Sequence, residues 1–151
     1  MTPLYESQDF FDLLAGSYHR LIGRPLLNVD LSPGEGARWL YDRAPFGLLA
    51  HNTEPDPIFV YGNKAAQRRF GYSWDELTAL PSRLSAEAPE RQERENFLNQ
   101  VSRDGYVENY RGMRVTKSGE RFWIEGVTVW QLIDEKGHRH GQAAMLPLQP
   151  D

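Results

Sequence analysis

The segment Lys117-Ser118-Gly119-Glu120-Arg121-Phe122-Trp123-Ile124-Glu125-Gly126-Val127-Thr128-Val129-Trp130 decides the fold, because it reads as a tight turn followed by one long β-strand. Aromatic and β-branched residues suit a pleated, half-buried surface, and glycine supplies the positive φ that a hairpin turn needs. Tyr106 to Thr116 has strand character ahead of that turn. The following strand runs from Arg121 to Ile133, and Asp134-Glu135-Lys136-Gly137 is a second hairpin turn leading to a last strand, Gly141 to Leu148. The C-terminal part of the chain therefore reads as a three-stranded antiparallel meander.

Upstream, the pattern alternates between helices and short strands. Ser7 is placed to cap an amphipathic helix with Phe10, Phe11, Leu14, Tyr18, Leu21 and Ile22 at helical spacing, stopped by Gly23 and Pro25. Ser32-Pro33-Gly34-Glu35 predicts a second start, with serine and glutamate capping each other's amides and Pro45 ending the helix. Phe46 to His51 and Ile58 to Gly62 read as strands around the turn Glu54-Pro55-Asp56-Pro57. Asn63 to Phe70 is a short helix closing at Gly71, and Ser73-Trp74-Asp75-Glu76 is a capping box stopped by Pro81. Pro89 opens a longer helix to about Arg103, with Phe97, Leu98 and Val101 on one face. With no repeat or low-complexity segment, the chain is one α+β domain.

At 151 residues, with 40% hydrophobic and 25% charged residues, the composition is that of an ordinary globular domain. No span suggests a membrane helix. The opening MTPLYESQDFFDLL carries Glu6, Asp9 and Asp12 where a secretory leader would be apolar, so a cytoplasmic location is expected. A net charge of -4, without a Lys/Arg-rich run, speaks against direct nucleic-acid binding. The chain has 0 cysteines. It therefore cannot make a disulfide, an iron–sulfur cluster, a thioether haem link or a covalent flavin–thiol adduct.

The element order resembles that of PAS domains. Phe59-Val60-Tyr61-Gly62-Asn63-Lys64-Ala65-Ala66 through Phe70-Gly71-Tyr72-Ser73-Trp74-Asp75-Glu76-Leu77 is similar to the PAS strand-to-helix segment, and Lys117 to Glu125 with Asp134 to Gly137 to its last two hairpins. More specifically, the chain resembles the MEKHLA family, a PAS relative found as small bacterial proteins and at the C-terminus of plant class III homeodomain leucine-zipper factors. His51-Asn52, Pro57 to Asn63, Leu80 to Glu87, Glu125 to Trp130 and Gly141 to Ala144 carry that likeness, between about Ala44 and Leu146. It implies a PAS-like five-stranded antiparallel sheet with short helices on one face around a cavity, at residues 44–148. Residues 1–43 would be an N-terminal helical extension that caps the sheet or dimerises. It also implies a signalling or regulatory role, by analogy with light, oxygen and redox sensing, while naming no ligand. Nothing in the chain resembles a homeodomain, zipper, kinase or cyclase, so any output would pass through a separate effector protein.

Matched to flavin-binding PAS domains, strict strand alternation places Gly112, Arg114, Ile124, Gly126, Thr128 and Trp130 on the cavity face, with Ala143 and Met145 beside them. Trp123, Glu125, Val127 and Val129 then face outward. So apolar an outer face needs a cover, either the N-terminal helix with Phe10, Phe11 and Leu14 or a second subunit, and a homodimer is expected there. Arg94 shares the helical stripe of Phe97, Leu98 and Val101, and Arg83, Arg91 and Arg114 are candidates for the same space. One reading is a small anionic or aromatic ligand held by Arg94 and Arg114 against Trp130. The alternative is internal ion pairing with Glu87, Glu90 or Glu125.

Of the four histidines, His19, His51, His138 and His140, none lies on the longer helix that carries an axial haem ligand in haem PAS domains. The asparagines that hold the flavin ring in light-sensing relatives correspond to Arg114 and Ile124. No phosphate loop, nucleophile elbow or metalloprotease helix is present. The remaining enzymatic rival, a cone-fold isomerase or dehydratase, would need Glu125 or Glu87 as a cavity base, and alternation turns Glu125 outward. Two readings stay open: a non-covalent small-molecule sensor, and a ligand-free interaction module whose core is filled by Phe122, Ile124, Trp130 and Met145.

Overall fold

Local caps set the helix ends. Ser7 Oγ accepts from the Phe10 N–H at 3.1 Å and starts α1, Gln8–Ile22, which closes on Gly23 at φ 83°. The structure, a computed structural model, describes residues 3–32, 34–86 and 91–147, apart from the side chains of Arg91, Glu93 and Arg94. The second helix, α2, is Gly36–Asp42, and its expected reciprocal cap is not formed. Glu35 itself takes the N-cap position, without a side-chain bond, and donates its N–H to the Ser32 carbonyl at 3.1 Å. Pro33 lies outside the described residues, as do Pro89 at the expected start of the longer helix and Leu148 at the end of the last strand.

Five strands, β1 Phe46–His51, β2 Phe59–Gly62, β3 Tyr106–Val115, β4 Arg121–Ile133 and β5 Arg139–Pro147, form one sheet in the order β2-β1-β5-β4-β3. All neighbouring pairs are antiparallel. Between β2 and β3 lie α3 Lys64–Phe70, α4 Trp74–Leu77 and α5 Arg91–Asp104. The α4 capping box forms as its sequence requires, with Ser73 and Glu76 bonded reciprocally at 3.2 and 2.9 Å. Asn63 does more than cap α3. Its fully buried amide accepts from the Ala66 and Leu48 N–H groups at 3.0 and 2.9 Å and donates to the Leu40 and Phe46 carbonyls, each at 3.0 Å. One side chain thus fastens α2, β1 and the β2–α3 corner.

Both faces of the sheet are covered. On one, α1 buries Leu14 and Tyr18 against Leu48, Ala50, Trp130, Leu132 and Ala143. Trp130 Nε1–H donates to the Leu14 carbonyl at 3.3 Å and its ring meets Tyr18 edge-on. Ser17 Oγ bonds both the N–H and the carbonyl of Ile133 at 2.9 Å, which fixes the helix along β4. On the opposite face, α3, α4 and α5 pack Phe70, Leu77 and Val101 against Leu49, Phe59, Ile124, Val127, Val129 and Leu146.

The alternation along β4 reverses in mid-strand. Gly112 pairs with Ile124 but Tyr110 pairs with Val127, so β4 carries one more residue than β3 across this interval. Gly126, at φ 65°, accommodates the bulge. A compensating extra residue lies in β3 between Val107 and Tyr110, where Asn109 takes φ 63°. Uninterrupted alternation is therefore wrong beyond Glu125. Phe122 and Ile124 share a face with Val127 and Val129, whereas Trp130 and Leu132 face α1.

Candidate functional site

Between the sheet and the segment Ser82 to α5 lies a cavity of about 80 Å³. Leu49, Phe59, Phe70, Leu98, Ile124, Val127, Val129, Ala144 and Leu146 give it apolar walls, and Phe97 stacks on Tyr110 at 4.0 Å along one side. Polar groups enter from His51, Ser82, Ser85, Tyr110, Arg114 and Gln142. Ser85 Oγ donates to the Ser82 carbonyl at 2.7 Å, and His51 Nδ1 lies 2.9 Å from the Asn52 carbonyl, to which it donates.

Arg114 reaches back along β3. Its guanidinium donates to the Met113 carbonyl at 2.8 Å and to the Tyr110 hydroxyl at 3.4 Å, and no carboxylate pairs with it among the described residues. Gln142 is 8% exposed, and its side-chain amide makes no hydrogen bond among the described residues. It sits on β5 opposite His51 of β1 and Gln131 of β4. Gly112 is the space into which Arg114 and Tyr110 turn, since a Cβ there would meet the Tyr110 hydroxyl at 2.7 Å and an Arg114 nitrogen at 3.0 Å.

Of the expected cavity residues, Arg114 and Ile124 line this space. Trp130, Thr128 and Met145 do not: the Gly126 bulge turns Trp130 under α1, and Thr128 pairs with Met145, which packs in the α1-side core. Arg83 lies outside as well, exposed and bonded through Nε to both Asp56 oxygens at 3.1 and 3.3 Å. The Arg94 side chain lies outside the described residues, and so do Glu87 and Glu90. Glu125 faces away from the cavity and pairs with Arg111 at 2.9 Å.

The expected interface set divides in the same way. Val127 and Val129 are cavity walls, displaced from the outer face by the same bulge. Leu14 is 0% exposed beneath its own helix, and Phe10 and Phe11 pack on the same cluster. Trp123 is 45% exposed and lies under the Arg111 guanidinium, 3.7 Å from its ring centre. His138 and His140 gather around Asp134, at 3.6 and 2.8 Å. The His140 bond and the backbone N–H groups of His138 and Lys136 hold the Asp134 carboxyl well below the usual carboxylate range. Among the described residues no group of three or more His, Cys, Asp or Glu is arranged to hold a metal ion.

Sequence reasoning passed over Tyr110 and Gln142 as cavity groups. The signal for the correct face was present: apolar residues at 122 and 124 resume at 127 and 129, a one-residue slip centred on a glycine.

Comparison with solved structures confirms the architecture. The PAS domain of a protein from Colwellia psychrerythraea is 15% identical, with 72% of this chain and 90% of that chain covered at a TM-score of 0.63. The light-state dimer of the fungal blue-light photoreceptor Vivid is 20% identical, covers 87% and 90%, and gives 0.59. A PAS domain from a two-component sensor histidine kinase is 16% identical, covers 73% and 90%, and gives 0.59. No curated protein matches the chain. The model of the MEKHLA domain matches residues 8–148, which takes in α1 as well as the sheet. On that match, the chain belongs to the MEKHLA domain family.

Proposed function

We propose that this chain is a PAS-like sensory or regulatory module that binds a small molecule non-covalently in its cavity and transmits occupancy to α1. One observation carries the reading. Val129 lines the cavity, while its neighbour Trp130 bonds the backbone of α1, so the two faces share a single stretch of β4. A ligand that moves the β4 backbone at Val129 moves the Trp130 anchor with it.

The cavity favours a small ligand. One water needs about 10–15 Å³ by the same measure of volume, so about 80 Å³ holds a few waters or one slim organic molecule. Pockets for drug-sized ligands run to roughly 300–1,000 Å³. A flavin does not suit this space, and its walls carry neither cysteine nor ring-binding asparagines. Among the described residues no carboxylate lines the cavity: Glu125 faces away from it and Glu87 lies outside the described residues. The light receptors and sensor-kinase domain that share the fold supply the sensory analogy.

Native mass spectrometry and an absorbance scan of freshly purified protein test the proposal. A released molecule of low mass, with slowed amide exchange in α1 when it is added back, supports it. A cavity that binds nothing from metabolite panels, with α1 exchange unchanged throughout, overturns it. The rival reading, a ligand-free homodimerisation or effector-docking module, is favoured by the exposed Trp123 ring. Sedimentation velocity on Trp123→Glu separates the two. Loss of a dimer together with an empty cavity supports the rival, and an unchanged monomer removes it.

A further inference from the structure

One cation at the cavity has no acidic partner among the described residues. Arg114 is partly buried and permanently charged, with only the Met113 carbonyl and the Tyr110 hydroxyl as hydrogen-bond acceptors and no acidic partner among the described residues. A guanidinium has five N–H donors. Two are engaged, which leaves three for an acceptor at the mouth of the cavity, and an anion is the strongest partner for them.

Register sets which groups one small ligand can touch. Arg114 stands opposite Phe122 and Gln142 opposite Gln131 on β4, so at about 3.3 Å per residue their backbones lie roughly 25–30 Å apart, and a short chain held on Arg114 does not reach Gln142. Ile124, Val127 and Val129 form the apolar wall that runs on from the Arg114 end. We propose that the cavity takes a slim amphipathic carboxylate, its carboxylate on Arg114 and its apolar body along Ile124, Val127 and Val129. A carboxylate matches one guanidinium in charge and uses two of the three remaining donors in a bidentate pair. A phosphate dianion would bring more charge and acceptors than this single arginine meets.

The inference rests on the small-molecule reading above, and neutral probes keep the two apart. Hexanoate, hexanamide and hexylamine have the same chain length and differ in head-group charge. Titration of each into the wild-type protein, followed by calorimetry and by amide NMR shifts of Val127 and Val129, is the experiment. Hexanoate should bind about 10- to 100-fold more tightly than hexanamide, the range of a charge-assisted hydrogen bond. Arg114→Met should erase that preference while hexanamide binding persists. Equal binding of hexanoate and hexanamide overturns the carboxylate assignment and leaves the sensing cavity standing. A hexanoate preference that survives Arg114→Met overturns the role of Arg114. Absence of any cavity shift with all three probes at millimolar concentration overturns the proposal, and the sensing reading then stands or falls on the co-purified molecule alone.

Discussion

Gly126→Ala tests the feature that decides which residues line the cavity. Gly126 sits at φ 65°, in the left-handed region, and a Cβ built there meets nothing closer than Pro147 Cγ at 3.7 Å. That is an ordinary contact, so the substitution acts through the backbone alone. Holding a non-glycine residue in this region costs roughly 1–2 kcal/mol. Reduced freedom of the unfolded chain returns about 0.4–1 kcal/mol. The net expectation is a loss of about 1 kcal/mol, which moves the urea midpoint down by about 0.5 M for a slope near 2 kcal/mol/M. Gly126→Asn should lose less than alanine, because asparagine tolerates positive φ better than other side chains. Deleting Gly126 should be far worse, since removing the extra residue drives Val127 and Val129 out of the cavity wall and Trp130 away from α1. An alanine variant at or above the wild-type midpoint, or a deletion that folds normally, would falsify the bulge and the cavity assignment together.

Two further outcomes follow from named contacts. Asn63→Ala removes the α3 cap, worth about 1 kcal/mol, and strands the buried Leu48 N–H, at about 1–3 kcal/mol. A loss of about 3 kcal/mol by urea denaturation is expected, and a loss below about 1 kcal/mol contradicts the four-bond description. Glu76, bonded first to Lys117 and then to the Ser73 N–H, has its pKa lowered to about 2 from the ordinary 4.5. A folded-state pKa below the unfolded one stabilises above about pH 4.5, and the gain fades as pH falls toward 2. Lys117→Met should therefore lower the midpoint at pH 7 and converge with wild type near pH 2, and a gap that stays constant across that range rules the coupling out.

The strands and most helix ends were legible because their determinants are local. Ser7, Asn63 and Ser73 lie next to the amides they cap, and Gly23 and Gly71 supply left-handed closures within the same short segments. Where a competing local arrangement exists, that reading fails: Glu35 occupies the N-cap itself and leaves the expected Ser32 box unformed. The cavity was harder to read because strand parity is cumulative. One extra residue at Glu125-Gly126 inverts everything after it, and so Ile124 was placed correctly while Thr128, Trp130, Val127 and Val129 were exchanged between faces. Arg83 fails for another reason. Its partner Asp56 is 27 positions away in sequence, and only folding shows that the pair meets outside the cavity.

The same inversion changes what an apolar outer face means. Trp123, Val127 and Val129 would together have made a patch in need of a second subunit, but the bulge sends the two valines inward and leaves Trp123 with Arg111 and Glu125 around it. The rest of that face is covered by α1, held through Ser17 and Trp130, and Leu14 at its centre is 0% exposed. A second copy of the chain could reach Leu14 only by displacing α1 and breaking those bonds. Any dimer that preserves this fold must therefore avoid the apolar stripe of α1, and of the expected interface residues only Trp123 keeps a largely exposed side chain. Coupling between ligand and partner would then run across β4 itself, from Val129 in the cavity to Trp130 and α1, and not through exchange of the N-terminal helix.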